Sequence, residues 1–335
     1  MYVLRTLGSL ELHADDVPVL SGRRKPLALL TYLARHVPQT VGRDRGALNH
    51  EFGLALVHLE LLDSASRVYQ SMTRRSALSQ KQFGYRSLAY VRMLEGQYRN
   101  AAVALDSAIN FAHAAGNQHV SEFRHHILLA QAAQSAGDSV RVGQALNGAW
   151  KLLTKFTPDP SFAFYAGHAF ANARSLNRAR VLLDTLNARS RAGSMLDQTL
   201  RHLLQARIAL VAGRPTEARA LLLQASDTTM NGYRLALLSD TYEALGRLDS
   251  ALIAATQLTR AMRVGDEQQD EWLRGFLRVG KLAERMGDAP RARDAYATIV
   301  SRFKQGDADH LQLVHARRAL ARLGVARGSE IAQQR

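Results

Sequence analysis

A small residue, a turn residue seven positions later and a second small residue five positions after that recur along the chain, and this frame governs what it can fold into. The frame is clearest at Ala89, Gly96 and Ala101, followed at helical spacing by Leu105 and Ala108. It returns as Ala130, Gly137, Val142, Leu146 and Ala149, and as Ala206, Gly213, Ala218, Leu222 and Ala225. Further copies read Ser239, Gly246, Ala251, Ala255 and Leu258, then Gly280, Gly287, Ala292, Tyr296 and Ile299. Two weaker copies have no glycine at the turn: Gly53, Glu60, Ala65 and Tyr69, and Gly167, Arg174, Ala179 and Leu183. The turn residues at 60, 96, 137, 174, 213, 246 and 287 are spaced by 36, 41, 37, 39, 33 and 41, so the helices are of unequal length.

The physics of the frame is specific. A small residue on one helix lets the next helix cross it closely, where a larger side chain would hold the backbones apart. A turn residue in the left-handed conformation ends the first helix, and glycine takes it without a Cβ clash. Each pair leaves an apolar face that only its neighbour can cover, so several pairs must stack.

This frame resembles the tetratricopeptide repeat, and the resemblance covers residues 51–325. It implies an all-α fold, a right-handed α–α superhelix, with a plain helical bundle as the alternative. The family's terminal proline is mostly missing and its aromatic positions are often Leu or Ala. The stretch from Asp307 to Leu323 reads as one amphipathic helix capping the last pair, with Asp307 or Asp309 as its N-cap. Residues 326–335 read as a frayed, disordered polar tail.

Residues 1–50 are of another kind. Tyr2 to Leu12 alternate about a central Gly8-Ser9 and predict a small β-hairpin, and Pro26 opens an apolar helix over Leu27–His36. Three stretches, Leu4–Gly8, Gly22–Leu30 and Arg43–Arg45, resemble the opening of the winged-helix domain of SARP-type regulators, the bacterial transcriptional activator (BTAD) class. In that class a winged helix precedes a tetratricopeptide-like region, the order found here. The resemblance implies DNA binding, with Arg23, Arg24, Lys25, Arg43 and Arg45 as phosphate contacts, which position a protein without reading sequence. The recognition helix and wing that would read bases are absent after Arg45, where the chain passes almost directly into the repeat frame. A remnant that caps the first repeat is the other reading of this segment.

Composition narrows the function classes. The chain of 335 residues has no cysteine, which excludes disulfides and thiolate chemistry and points to a reducing compartment. No apolar run is long enough for a membrane span and no leader is visible, so the expected location is cytoplasmic. The net charge of +15 is spread along the chain, with +3, +2, +5 and +5 in residues 1–50, 51–130, 131–245 and 246–335. Such an excess favours an acidic partner without naming one.

Catalytic, cofactor and metal motifs are not found. Gly275, Gly280 and Lys281 have the spacing of a phosphate loop, but Leu282 stands where the magnesium-binding hydroxyl belongs and no strand precedes. His113, His119, His125 and His126 are the closest histidine group, yet adjacent His125 and His126 point to different helix faces. The expectation is therefore no enzyme, no cofactor and no metal. In a solenoid of the resembled type the first helices line a concave groove. The side chains expected there are Arg86, Tyr90, Arg124, Gln131, His168, Asn172, Arg207, Asp240, Glu243, Arg274 and Lys281. Mostly cationic, this surface suits an acidic or extended peptide. The expected function is a protein-interaction scaffold in bacterial signalling or transcription control, with a SARP/BTAD-like DNA-binding regulator as the alternative.

Overall fold

The computed structural model describes residues 2–5, 11–14, 17–20 and 43–333, with side chains from 49 to 324. Three short strands, Tyr2–Arg5, Glu11–Ala14 and Val17–Leu20, pair antiparallel in that order. The turn expected at Gly8-Ser9 and the helix expected over Leu27–His36, on which the winged-helix resemblance rests, lie outside the described residues.

From Arg43 onward the chain is helical. The elements are α1 Arg43–His58, α2 Leu62–Thr73, α3 Leu78–Leu94, α4 Tyr98–Ala114 and α5 His119–Ala136. They continue as α6 Ser139–Leu152, α7 Pro160–Asn172, α8 Leu176–Arg189, α9 Met195–Val211 and α10 Pro215–Gln224. The last five are α11 Asn231–Ala244, α12 Leu248–Arg260, α13 Gln269–Arg285, α14 Ala289–Arg302 and α15 Leu311–Gln333. α1 spans the expected boundary at residue 50, and α15 runs on through most of the expected tail.

The seven turns share one construction. Each turn residue has positive φ, from 59° at Arg174 and 61° at Glu60 to 80° at Gly137. In each, the amide after the turn residue donates to a carbonyl five residues back, as Asp138 does to Ala133 at 2.9 Å and Ser175 to Phe170 at 2.9 Å. This is the 6→1 bond of the Schellman motif, which satisfies a carbonyl left free at the helix end. The small residue after the turn sits at the crossing: Ala65, Ala101, Ala179, Ala218, Ala251 and Ala292 are each 0% exposed. Gly53 and Gly280 complete two crossings, since a Cβ there would lie 2.4 Å from the Tyr69 ring and 2.5 Å from the Tyr296 ring.

Glu60 and Arg174 hold the left-handed conformation with a side chain, at a cost of order 1–2 kcal/mol. Both are exposed. Glu60→Gly and Arg174→Gly should each stabilise by about 0.5–1 kcal/mol, because the relief exceeds the added freedom of the unfolded chain. Urea midpoints that stay level or fall in both variants would refute this.

The solenoid closes on itself. α13 packs against α3 and α5, and α15 packs against α5. One apolar cluster joins the first repeats to the last, running from Ala55, Tyr69 and Leu94 to Trp272, Tyr296, Phe303 and Ala316. At the seam the Asp307 amide donates to the Gly96 carbonyl at 3.1 Å, and the Arg99 amide donates to Asp307 Oδ2 at 2.9 Å. Arg99 also pairs with Asp309. The two aspartates offered by sequence as helix caps are thus engaged across the seam. Tyr98 stacks on His310 with ring centroids 4.4 Å apart and planes at 5°, and Phe303 meets His310 edge-on at 5.2 Å. Among the described residues no helix is long and apolar enough to cross a membrane, and no group of three or more His, Asp or Glu residues is placed to hold a metal.

Candidate interaction groove

The side chains expected to line a groove meet a segment of the chain itself. Residues 264–268 and the first turn of α13 enter the concavity. Glu267 pairs with Arg124, and its backbone carbonyl accepts from the Tyr233 hydroxyl at 2.8 Å. Gln269 Nε2 donates to the Tyr90 carbonyl at 2.9 Å. Asp270 accepts from the Tyr98 hydroxyl at 3.2 Å and the Ser135 hydroxyl at 2.7 Å, and pairs with Arg274 at 3.0 Å. Glu271 pairs with Arg278 at 2.9 Å.

Ten of the eleven expected groove residues fall into three groups, and the eleventh, Asn172, is half-buried beside His168. Arg86, Tyr90, Gln131 and His168 are buried. Arg86 lies over the Phe83 ring, 4.2 Å from its centroid, and burial with the nearby Arg124 guanidinium lowers its pKa to about 10. Gln131 Nε2 donates to the Tyr233 hydroxyl at 3.3 Å. His168 meets Tyr233 edge-on at 4.8 Å and Asn172 Nδ2 at 3.3 Å.

A second group is half-buried in ion pairs: Arg124 with Glu267, Arg274 with Asp270, and Arg207 with Asp240 at 3.4 Å. Asp240 also takes Arg278 at 2.9 Å, so it bridges α9 and α13. Glu243 and Lys281 form the third group, towards solvent. Glu243 pairs with Arg285, and Lys281 has no ion pair among the described residues. Of the expected phosphate contacts, Arg23, Arg24 and Lys25 lie outside the described residues, and Arg43 and Arg45 open α1.

Sequence reasoning passed over Glu267, Asp270, Glu271 and Arg278. A signal existed: Asp266, Glu267, Asp270 and Glu271 put four acids into six residues of a strongly basic chain. Arg278 lies one helical turn beyond Arg274, on the same face.

The site's electrostatics follow from burial. Desolvation pushes Glu271 upward, but Arg278, Arg274, His168 and Arg207 outweigh it and hold its carboxyl down at about 2. Asp270 is raised by burial, which Arg274 only partly offsets. Burial lowers His50 to about 4, His168 to about 3 and His310 to about 4. These imidazoles stay neutral in the folded chain while the unfolded chain takes up protons below about 6.5. Stability they contribute is complete above that pH and is lost as pH falls towards their folded values. Glu271 adds to the loss below about 4.5, and Asp270 works against it. The melting temperature should therefore be level above pH 7 and drop between pH 6.5 and 4. A melting temperature unchanged down to pH 4.5 would contradict this burial pattern.

Helix pairs closed by left-handed turns and crossing at small residues define an all-α solenoid. No protein-family model matches the chain, and no curated protein is similar to it in sequence. Among solved structures, a tetratricopeptide repeat protein from Parabacteroides merdae ATCC 43184 is similar, at 14% identity and a TM-score of 0.48. The match covers 83% of this chain and 98% of that one.

Proposed function

We propose that this chain is a protein-interaction scaffold that receives an acidic, extended peptide segment in its concave groove, in bacterial signalling or transcription control in the cytoplasm. The observation that supports this reading is the occupant the groove already has. Glu267 pairs with Arg124 on α5 and its backbone carbonyl accepts from the Tyr233 hydroxyl on α11, while Gln269 Nε2 donates to the Tyr90 carbonyl on α3 and Asp270 accepts from the Tyr98 and Ser135 hydroxyls. Carboxylate pairing and main-chain hydrogen bonding together are how a groove holds a peptide. A partner of similar chemistry would compete with the internal segment for Arg124, with Arg207, Asn172, Glu243 and Lys281 along the margin.

The test is a fluorescent peptide copying residues 264–271, added to the full chain and to its Glu267→Ala variant at low salt. Removing Glu267 frees Arg124, so the variant should bind the peptide at least tenfold more tightly than the parent, and added salt should weaken that binding. Peptide binding by neither protein, or equal binding by both, would sink the reading.

A further inference from the structure

A cavity of about 540 Å³ lies between the C-terminal end of α5, the middle of α13 and the start of α15. Four side-chain cations line it: Arg274, Arg278, Lys281 and Arg318. Asp270 neutralises Arg274, and Asp240 and Glu271 together take Arg278. Lys281 and Arg318 are exposed and have no ion-pair partner among the described residues. The lining also carries an amide with unmet hydrogen bonds: Gln312 is 5% exposed, and neither its Nε2 nor its Oε1 has a partner. His315 Nε2, also on the lining, is buried and unpartnered. Leu277 and Val314 supply an apolar wall.

We propose that this cavity binds a small phosphorylated molecule. Buried polar groups are normally satisfied, so an orphaned amide beside free cations marks a place where a ligand completes the hydrogen bonds. The volume falls within the range of small-molecule sites, and three helices line the space, which stays open to solvent. A phosphoryl group offers several acceptor oxygens and more than one negative charge to Lys281, Arg318 and the Gln312 amide. The apolar wall accommodates the organic part. Lys281 also stands at the margin proposed for the peptide, but Arg318 and Gln312 do not, and phosphate binding here requires no peptide partner.

Calorimetric titration of the full chain with inorganic pyrophosphate and with ADP, against sodium chloride of matched ionic strength, tests it. Both phosphates should bind saturably. ADP tighter than pyrophosphate would identify an organic phosphate using the apolar wall, and equal affinity would assign the binding to the phosphoryl groups alone. The double variant Lys281→Ala/Arg318→Ala changes only exposed side chains and should melt like the parent while binding at least tenfold more weakly. Gln312→Leu keeps every cation and should weaken binding about tenfold, the usual scale of a hydrogen bond to a charged group. No saturable heat beyond the chloride control would overturn the proposal, and so would a double variant that binds as tightly as the parent.

Discussion

Replacing Arg278 with Met should destabilise the fold by about 3–5 kcal/mol, the cost of removing one partner from a buried ion pair. The Arg278 side chain is 15% exposed and holds Asp240 at 2.9 Å and Glu271 at 2.9 Å. With a thioether in its place, two carboxylates on α11 and α13 face each other in a poorly solvated interior. The loss exceeds that from an exposed pair such as Arg214 with Glu217, where truncation should cost less than about 1 kcal/mol. Chemical denaturation of both variants compares the two. A parent-like midpoint for Arg278→Met would mean the cluster is open to water and the groove is not closed by α13. Changing Asp240, Glu271 and Arg278 together to apolar residues should recover much of the loss, since a well-packed apolar replacement of such a cluster is often neutral.

Ala101→Leu and Ala292→Leu should each cost about 1–3 kcal/mol by overpacking. Both alanines are 0% exposed at helix crossings. At the second crossing the facing position is Gly280, where even a single added carbon would lie 2.5 Å from the Tyr296 ring, so no slack exists to absorb three more. Val103, 59% exposed on the same helix as Ala101, is the control, and Val103→Leu should leave stability within about 0.5 kcal/mol. Parent-like melting of both alanine variants would place the helix crossings elsewhere.

The repeat architecture was legible because its demands fall on single residue types. A crossing admits only a small side chain, and a left-handed turn leaves a mark even when glycine is absent. Glu60 and Arg174 were identified by spacing alone, and both have positive φ. Periodicity does not say what covers a face. Arg124, Arg207 and Arg274 carry the polar pattern of solvated helix positions, and only the approach of α13 to α3 and α5 turns that surface into an interior. The contact between Tyr98 and Asp270 joins residues 172 positions apart, a separation that a repeat of about forty residues cannot encode. Asp307 and Asp309 show the same limit: local rules make them caps, and the tertiary seam recruits both for Arg99.

Open arrays of helix pairs can grow or shrink by whole units, because each unit meets only its neighbours. A chain whose first and last repeats share a core does not have that liberty. Inserting or deleting one helix pair would rotate and translate α13 and α15 relative to α3 and α5, parting Asp307 from Gly96 and Asp270 from Tyr98 together. The number of units is therefore a fixed property of this protein, as strand number is in a closed barrel, and its relatives should differ in loop length more readily than in repeat count.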